Sequence, residues 1–389
     1  MNLRKLIFFI LLTVPFLACD TAPKSEKGPA IIAYYYPGTP PESLPLDKLS
    51  HIIFSFTVIK DGKIALQNPK TEDDLIALAS RKQEFPELNI MVACGGWGGS
   101  AGFSDMAADP AKRKKYVESV ISFLKKYKLD GIDIDWEYPT SAGAGNDARP
   151  EDKQNFTLLM RDLRESLDKY KDGAQLSFAS GGWAGYYNYI ELEKVMKYVD
   201  YMNVMTYDFV INSSPHTAHH TNLGAVPLSD IKNKNIRERY ARRRNEGVPS
   251  AENTMEFCEK NGAPKSKLAV GAAFYGRAWK GALPENNGLH QPNSGVYKGW
   301  ARYSDIKQNY TEANGFQHFW DEHAQAPYAY RASDSVFLSY DNPRSVRAKA
   351  KYVKDNGLGA IFFWHLTIDS DDYQLLHTIY DELNPKQDK

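Results

Sequence analysis

The 389-residue sequence is poor in cysteine and carries no excess of charge of either sign. Besides Cys19 it contains Cys94 and Cys258, too few and too far apart for a disulfide framework or a zinc site, so we expect both to be buried free thiols. Lysine plus arginine and aspartate plus glutamate each number 48, a balance that argues against nucleic acid as a partner. The hydrophobic fraction of 42% nevertheless indicates a folded globular chain.

Long apolar runs are also missing, except for one near the first residue. A positively charged start precedes the apolar run 6–18, which is typical of a secretion signal and is too short to span a bilayer comfortably. The small residue before Cys19 resembles the cleavage site of a bacterial lipoprotein. We therefore predict a signal over 1–19 with lipidation at Cys19, a polar tether over 20–29, and export to the bacterial envelope. Ordinary secretion is the alternative.

Short apolar runs rich in β-branched and aromatic residues alternate with helical patterns along the chain. The runs predict eight strands, at residues 30–36, 51–58, 89–95, 129–137, 174–180, 200–206, 267–274 and 359–364. Apolar stripes predict helices over 109–128, 150–170 and 342–356. Because strand–helix alternation builds a parallel sheet, eight strands favour a closed (β/α)8 TIM barrel. A doubly wound sheet is the alternative, but no glycine-rich nucleotide fingerprint follows the first strand.

The segment between the seventh and eighth predicted strands is longer than a barrel helix requires. Residues 280–341 are dense in tyrosine, tryptophan, phenylalanine and glycine, and we expect them to form a small inserted α+β lobe beside a groove. The barrel would then comprise residues 30–279 and 342–385. Aromatic residues make up 13% of the chain, which is consistent with a groove that stacks sugar rings or, alternatively, with tyrosine-rich packing.

Three carboxylates alternate along the fourth predicted strand, at Asp133, Asp135 and Glu137. Alternate residues of a strand share a face, so the three side chains point the same way. Like charges held close together cannot all ionise freely, so at least one pKa should be raised, as a general acid requires. A structural acidic cluster or a magnesium site is the alternative.

The stretch from Asp130 to Pro139 resembles the DxxDxDxE signature of glycoside hydrolase family 18, the chitinases and related endo-β-N-acetylglucosaminidases. Further blocks are similar to that family, in the same order, over about 30–382. They are Ala30 to Tyr36, Ala93-Cys94-Gly95-Gly96-Trp97, Met205-Thr206-Tyr207-Asp208, Tyr275-Gly276-Arg277, Trp320-Asp321, Tyr340-Asp341 and Trp364. The family fold is a (β/α)8 barrel, which agrees with the strand count, and such barrels carry their active sites at the C-terminal ends of the strands.

The resemblance implies retaining hydrolysis of β-1,4 links next to N-acetylglucosamine, without an enzymatic nucleophile, a cofactor or a metal. Glu137 would act as acid and then base, while the acetamido oxygen of the substrate attacks to give an oxazolinium ion. Asp135 would hold the acetamido N–H, and Asp133 would share a hydrogen bond with Asp135. Tyr207 would donate to the acetamido oxygen.

The resemblance also implies which residues bind the sugar. They are Tyr34, Phe56, Gly96, Trp97, Met205, Asp208, Arg277 and Trp364. Trp364 would form the floor of the site, although from its strand position alone it is more typical of a core residue. Trp97, in a glycine-rich turn, is expected to be a groove platform, and Trp183 either a second platform or a cover for the rim. Non-proline cis peptides are implied at Ser55-Phe56, Glu137-Tyr138 and Trp364-His365.

Ala93 departs from the family pattern, which has serine at this position. The family serine helps Tyr34 to hold Asp133, so one hydrogen bond worth about 0.5–1.5 kcal/mol would be missing. This change should alter the pKa coupling within the acidic cluster rather than abolish catalysis.

Three histidines crowd the segment after the sixth predicted strand: His216, His219 and His220. We predict an exposed loop here. A metal site is not expected, because no acidic residue lies at ligand spacing from them.

These observations predict a chitinase whose partner is a polymer or oligomer of N-acetylglucosamine. An endo-β-N-acetylglucosaminidase that cuts the chitobiose core of N-glycans is one alternative, but Trp136 and Tyr138-Pro139 beside the acid, together with the lobe, favour a chitinase. A carbohydrate-binding barrel with weak activity is another, and the intact Glu137 argues against it. We expect a monomer that contacts the membrane only through its lipid anchor.

Overall fold

A computed structural model describes residues 28–242 and 247–385 of the chain. The predicted signal, the lipidation site at Cys19 and all but the end of the predicted tether lie outside these residues. None of the helices in the described part combines the length and apolar character that a membrane span requires. Cys94 and Cys258 are buried free thiols, as predicted.

The described residues form fourteen β-strands, divided between a sheet of nine and a sheet of five. In chain order they are β1 (Ala30–Tyr35), β2 (His51–Lys60), β3 (Lys63–Leu66), β4 (Asn89–Gly95), β5 (Gly131–Asp135), β6 (Gln175–Gly181), β7 (Tyr201–Met205), β8 (Leu268–Ala273), β9 (Tyr275–Trp279), β10 (Val296–Arg302), β11 (Gln317–Asp321), β12 (Ala326–Arg331), β13 (Val336–Ser339) and β14 (Ala360–Trp364).

The larger sheet closes into a barrel of eight parallel strands. Their order is β1-β14-β8-β7-β6-β5-β4-β2, and the pairing of β1 with β2 completes the circle. The remaining strand, β3, is an antiparallel hairpin partner of β2. Each of the eight predicted strands overlaps one barrel strand, so the (β/α)8 prediction is confirmed and the doubly wound alternative is excluded.

The described residues also form ten α-helices, which lie mainly between the strands. They are α1 (Glu72–Ser80), α2 (Phe103–Ala108), α3 (Pro110–Tyr127), α4 (Asp152–Tyr170), α5 (Leu192–Val195), α6 (Lys234–Ala241), α7 (Ala251–Lys260), α8 (Tyr303–Asn309), α9 (Pro343–Asp355) and α10 (Gln374–Leu383). The three predicted helices correspond to α3, α4 and α9. Asp109 caps the first turn of α3 with its carboxylate, and Asn342 forms a capping box with Ser345 at the start of α9.

The alternation of side chains along β1 separates the barrel interior from the helical layer. Ile32 and Tyr34 belong to a compact cluster inside the barrel, whereas Ile31, Ala33 and Tyr35 pack outwards in the large core beneath the helices. This period of two brings Tyr34 into the same interior that receives the acidic strand.

The five-stranded antiparallel sheet forms the lobe inserted between β8 and β14. Its order is β10-β9-β13-β12-β11, so the entering strand β9 pairs directly with the last lobe strand β13. The sheet starts at Tyr275 rather than at the predicted boundary of 280, because only Phe274 separates β8 from β9. The barrel helix between β8 and β14 is still present as α9, so the lobe is an added unit with its own small core.

One buried carboxylate joins the two ends of the lobe. Asp341, at the exit, accepts a hydrogen bond from the backbone N–H of Ala273 at the entrance (3.0 Å) and from the ammonium group of Lys349 in α9 (2.6 Å). Asp341 and Lys349 are both fully buried, so the ion pair is shielded from solvent. The entrance and the exit of the lobe are thus fixed to the same point of the barrel.

Candidate active site

The β5 strand and the residues after it carry acidic side chains on the inner face and apolar ones on the outer face. Asp133, Asp135 and Glu137 are all buried, with at most 9% of their surface exposed. On the other face, Trp136 stacks on Phe103 with ring centroids 5.3 Å apart. The predicted alternation is confirmed, and it delivers three carboxyl groups to the end of the barrel where active sites form.

Asp133 is the most completely buried of the three, and three donors hold it. The Tyr34 hydroxyl donates to Oδ2 (2.8 Å), while Ser177 and Asn203 donate to Oδ1 (2.6 and 3.2 Å). Burial raises the pKa of Asp133 to about 6, against the lowering effect of these hydrogen bonds. Ala93 stands opposite Asp133 on β4 and has no hydroxyl to offer. Ser177 and Asn203, which were not among the predicted site residues, donate two of the three hydrogen bonds to Asp133.

Asp135 differs from Asp133 because one of its oxygens lacks a partner. Within the residues that the structure describes, its Oδ1 is buried and makes no hydrogen bond. The predicted hydrogen bond between Asp133 and Asp135 is not formed, since the donors to Asp133 are other side chains. Burial, and then the charges of Glu137 and Asp133, raise the pKa of Asp135 well above its ordinary value. A buried acceptor of this kind is available to a donor on a bound ligand.

Glu137 follows the last residue of β5 and is fixed through its backbone. Its N–H donates to the hydroxyl of Ser100 (2.9 Å), and that hydroxyl lies 3.0 Å from the carbonyl oxygen of Asp135. Burial raises the pKa of Glu137 to about 7; the Tyr138 hydroxyl opposes this rise, and the charge of Asp208 adds to it. A carboxyl group that is still protonated near neutral pH can donate a proton to a leaving group.

Two glycines allow the backbone of β4 to approach β5 closely. A Cβ atom on Gly95, whose φ is +121°, would lie 2.0 Å from the carbonyl oxygen of Asp135. Gly96 donates its N–H to the same oxygen (2.8 Å), and a Cβ atom there would lie 2.9 Å from the Phe56 ring. Both positions therefore require glycine. Gly96 therefore has a structural role in bringing the two strands together. The contact between Gly96 and the sugar stays a prediction.

Trp364 lies in the pocket next to the acidic cluster. Its half-buried indole stacks on the Phe56 ring at 5.3 Å with an interplanar angle of 22°, and it packs at 5.8 Å from the ring of Tyr34, which holds Asp133. The indole also packs against the core clusters on both sides of the barrel wall, so its place as the floor of the site stays a prediction. The non-proline cis peptides predicted at Ser55-Phe56, Glu137-Tyr138 and Trp364-His365 are all present.

Met205 and Tyr207 lie at the end of β7, and both are half-buried. The Tyr207 ring meets Tyr275 and Phe362 edge-on, at 6.1 and 6.0 Å, and Met205 borders the cluster inside the barrel. Burial, and next the charge of Asp135, raise the pKa of Tyr207 well above its ordinary value. Its hydroxyl is therefore neutral and able to donate a hydrogen bond.

Asp208 follows immediately and, unlike the β5 carboxyls, is paired with a cation. Arg277 donates to its two oxygens from Nε (2.5 Å) and Nη2 (2.6 Å), and Tyr275 donates its hydroxyl to Oδ1 (2.8 Å). Burial alone would raise the pKa of Asp208, but the interactions with His220 and Arg277 hold it well below its ordinary value. Asp208 is thus an ionised group close to the protonated Glu137.

The histidine-rich segment is buried, so the predicted exposed loop is wrong. His216, His219 and His220 have 5%, 4% and 0% of their surface exposed. The segment packs against the inserted lobe, where Nε2 of His219 lies 3.1 Å from Oδ2 of Asp321. In the described part of the chain, no group of three or more histidine, cysteine, aspartate or glutamate side chains is arranged to hold a metal ion.

Three large aromatic side chains near the mouth of the barrel are exposed to solvent. They are Trp97, Tyr36 and Trp300, with 58%, 47% and 47% of their surface accessible. The exposure of Trp97 agrees with its predicted place as a platform. Tyr36 and Trp300 were not among the predicted site residues. Trp183 is half-buried and meets Tyr138 edge-on at 5.2 Å, so it covers the rim.

The site as a whole combines a neutral acid, an acceptor oxygen without a protein partner, a phenol donor and an aromatic floor. Such a set can protonate an ether oxygen while it holds an amide group from both its N–H and its C=O sides. The exposed aromatic rings around it suit the apolar faces of sugars.

Comparison with known proteins agrees with this chemistry. Residues 30–369 match the family described as "Glycosyl hydrolases family 18". Chitinase A1 of Niallia circulans is 39% identical over 305 residues, which are 74% of this chain and 42% of that protein. An endochitinase of Manduca sexta is 30% identical over 397 aligned residues, 94% of this chain and 68% of that protein. The chain therefore spans less than half the length of the first of these relatives.

Solved structures show the same fold. One, described as a novel glycoside hydrolase family 18 N-acetylglucosaminidase from Paenibacillus barengoltzii, is 34% identical with a TM-score of 0.80, over 91% of this chain and 100% of that one. Chitinase ChiA74 from Bacillus thuringiensis is 27% identical with a TM-score of 0.82, over 93% and 71% of the two chains. With the family match extending over nearly the whole barrel and lobe, the chain belongs to the glycosyl hydrolases of family 18.

Proposed function

We propose that this protein hydrolyses β-1,4 links between N-acetylglucosamine units of chitin or chito-oligosaccharides, with retention of configuration. The observation that carries the proposal is that one site contains two different carboxyl groups. Glu137 is a buried acid with a pKa raised to about 7, and Oδ1 of Asp135 has no hydrogen-bond partner among the described residues. The reaction needs both, one to protonate the leaving oxygen and the other to hold the acetamido group. The relatives named as chitinases support this choice of substrate.

In the first step, Glu137 donates its proton to the glycosidic oxygen while the acetamido oxygen of the substrate attacks the anomeric carbon. The bond to the leaving sugar breaks, and an oxazolinium ion forms. Oδ1 of Asp135 accepts the acetamido N–H and balances the positive charge. In the second step, the ionised Glu137 takes a proton from water, whose oxygen attacks the same carbon and opens the ring. Two displacements at one carbon restore the original configuration.

The other side chains of the site orient the sugar. The neutral hydroxyl of Tyr207 donates to the acetamido oxygen, and Trp364 supports the apolar face of the ring. Asp208 and Arg277, fixed to each other, bind the hydroxyl groups of the sugar. These steps use the protein's own acids and the substrate's amide, and they require neither a metal nor a cofactor.

A comparison of three substrates tests the proposal. Chitotetraose should be cleaved, with products that first appear as β-anomers by NMR. Cellotetraose has the same linkage but a hydroxyl in place of each acetamido group, so it should not be cleaved. A high-mannose glycoprotein should release no glycan. Cleavage of cellotetraose would rule out assistance by the substrate, and glycan release without chitotetraose cleavage would replace chitin by N-glycans as the substrate.

We also propose that the protein is exported and anchored in the bacterial envelope as a monomer, through a lipid on Cys19. This proposal rests on the sequence of residues 1–29, with its apolar run and polar tether. Cys19→Ala should move the protein from the membrane fraction to the soluble fraction, and Cys258→Ala, at a buried thiol, should leave it in the membrane fraction. If the Cys19 variant stays with the membrane, lipidation at this residue is wrong.

A further inference from the structure

The two ends of the barrel differ in charge. Because the eight strands are parallel, the segments that lead into them lie at one end of the barrel and the segments that follow them lie at the other. The leading segments, counted with the helix ends before them, are residues 47–50, 81–88, 125–130, 169–174, 197–200, 260–267 and 354–359. They hold 13 lysine and arginine residues against 7 aspartate and glutamate residues, so we call this end the basic face.

The opposite end, which carries the active site, is acidic. With the lobe set aside, the segments that follow the strands are residues 36–45, 96–102, 136–151, 182–191, 206–233 and 365–373. They hold 10 aspartate and glutamate residues against 2 lysine and arginine residues. The equal numbers of positive and negative residues in the whole chain therefore conceal a separation of charge along the barrel axis.

The positive charge of the basic face forms a continuous arc. Five of its lysines are exposed and make no ion pair with another described residue: Lys125, Lys128, Lys169, Lys197 and Lys354. They precede β5, β6, β7 and β14, and Lys265, also exposed, precedes β8. Because these five strands are neighbours in the sheet, the lysines lie side by side around more than half of the barrel.

Lysine near the end of a helix has an ordinary explanation, because the helix dipole leaves partial negative charge there. The place where the chain enters the barrel supplies a second, independent observation. The N–H of Ala30, the first residue of β1, donates to the carbonyl oxygen of Gly359 (2.9 Å), and Ala30 stands opposite Ala360 at the start of β14. The chain therefore enters at the basic face, beside the segment that bears Lys354.

The chain between the proposed lipid and the barrel is short. Cys19 precedes Ala30 by eleven residues. A fully extended chain of this length reaches about 40 Å at most, and a flexible one averages about 18 Å. A lipid on Cys19 would thus hold the basic face near the bilayer, where even a weak attraction is effective because the tether keeps the local concentration high. The tether alone lets the barrel rotate, so the charge of the facing surface sets its orientation.

We infer that the basic face docks on an anionic phospholipid surface, with the acidic end and its active site turned away from the bilayer. This inference rests on the proposed lipid anchor. Lysines close to a negatively charged bilayer are attracted to it, whereas the carboxylates of the acidic end are repelled. In this orientation the groove opens towards the surroundings and stays accessible to long or particulate substrates.

Vesicle binding tests the docking without the lipid. Full-length Cys19→Ala protein should sediment with phosphatidylcholine vesicles that contain about one third phosphatidylglycerol, and salt at about 0.5 M should release it. Vesicles of phosphatidylcholine alone should bind little. A lysine contact with an anionic surface is worth about fivefold in binding, so four substitutions to glutamine should lower the partition coefficient at least about tenfold. The substituted residues are Lys128, Lys169, Lys197 and Lys354.

The matched control changes the net charge equally but away from the basic face. It replaces four other exposed lysines with glutamine: Lys70, Lys232, Lys280 and Lys298. This control should bind the vesicles as the Cys19→Ala parent does, and both variants should keep the melting temperature of the parent. An equal loss of binding in both variants, salt-insensitive binding to neutral vesicles, or capture by heparin without vesicle binding would each overturn the inference.

Fluorescent labels at the two ends test the orientation. With Cys19 replaced and Cys94 and Cys258 buried, Ser266→Cys on the basic face and Ala142→Cys after β5 each provide one exposed thiol. A quencher attached to lipid headgroups should quench the label at residue 266 strongly and the label at residue 142 weakly. Equal quenching of the two labels would overturn the proposed orientation.

Failure of the anchor gives a different result from failure of the docking. If Cys19→Ala stays in the cell membrane fraction but the four basic-face substitutions still abolish vesicle binding, the lipid anchor is wrong and the docking surface stands. If Cys19→Ala becomes soluble in cells but binds no anionic vesicles, the anchor stands and the docking surface is wrong.

Discussion

The interior of the barrel and the base of the lobe both contribute carboxyl groups to the same site, but they leave them in opposite protonation states. On β5, Asp133 has a pKa raised to about 6 and Glu137 one raised to about 7. Near the lobe, Asp208 keeps 34% of its side chain exposed, and its pKa is held well below the ordinary value. The difference lies in a neighbouring cation. Arg277 contacts Asp208, whereas no cation among the described residues contacts Asp133 or Glu137. Burial alone therefore does not decide whether an acid is charged; the neighbouring cation does.

The largest effect on activity should come from removing the proton that Glu137 transfers. Glu137→Gln keeps the shape of the side chain but cannot transfer a proton, so kcat should fall by about 10²–10⁴-fold or more while chitohexaose binding is retained. In the wild type, activity should decline as the pH rises through about 7, because the acid form of Glu137 is lost. Turnover by the variant at the wild-type rate would remove Glu137 from the mechanism.

The next largest effect should come from removing Arg277, the cation that is paired with Asp208. Arg277→Met leaves the partly exposed Asp208 without its counter-ion, so the free energy of unfolding should fall at pH 7 by about 1–2 kcal/mol, less than for a fully buried pair. Urea denaturation measures this loss. The double variant Asp208→Asn/Arg277→Met should recover most of it, and Lys114→Met, in an exposed pair 3.8 Å from Glu118, is the control with little effect. A double variant no more stable than the single one would contradict this account.

The two groups should also impose opposite pH dependences on stability. For Asp133 the folded pKa, about 6, lies above the ordinary value of 3.8, so the free energy of unfolding should fall as pH rises from about 4 to 6. Asp133→Asn should flatten this slope by up to about 1.4 kcal/mol per pH unit. Asp208 has a lowered pKa, so its contribution is present above pH 3.8 and is lost as pH falls below that value. A wild-type slope that is unchanged in Asp133→Asn would show that this carboxyl is ionised in the folded protein.

The smallest effect should follow from restoring a serine beside the acidic cluster. Ala93→Ser adds one donor opposite Asp133, which already accepts three hydrogen bonds. The added bond is worth about 0.5–1.5 kcal/mol, so the pH–rate profile should move to lower pH by less than about one unit. A larger shift, or a loss of activity in a folded variant, would show that the three existing donors do not compensate for the alanine.

The sequence predicted the barrel and the acidic strand because both depend on short-range patterns. Alternation along β5 is sufficient to place Asp133, Asp135 and Glu137 on one face, and capping by Asp109 marks the start of α3 within one residue. These features need no knowledge of which segments meet in space.

The features that escaped prediction depend on contacts between distant residues. His219 is buried because Asp321, about a hundred residues further along the chain, lies against it. Ser177 stands opposite Asp133 in the pairing of β5 with β6, and Asn203 reaches Asp133 from β7, two strands away; strand pairing is not visible in a single sequence. Tertiary pairing, rather than local propensity, decides all of these.

Asp341 bears on how the inserted lobe could be exchanged. Because its carboxylate fixes Ala273 and Lys349 at one point, the lobe begins and ends at neighbouring positions on the barrel. An inserted unit whose two ends lie together can be exchanged between related barrels without displacing the strands on either side. A chimera should therefore take its junctions at Phe274 and just before Asp341, so that Asp341 and Lys349 stay with the barrel and hold the two ends of the transplanted lobe together.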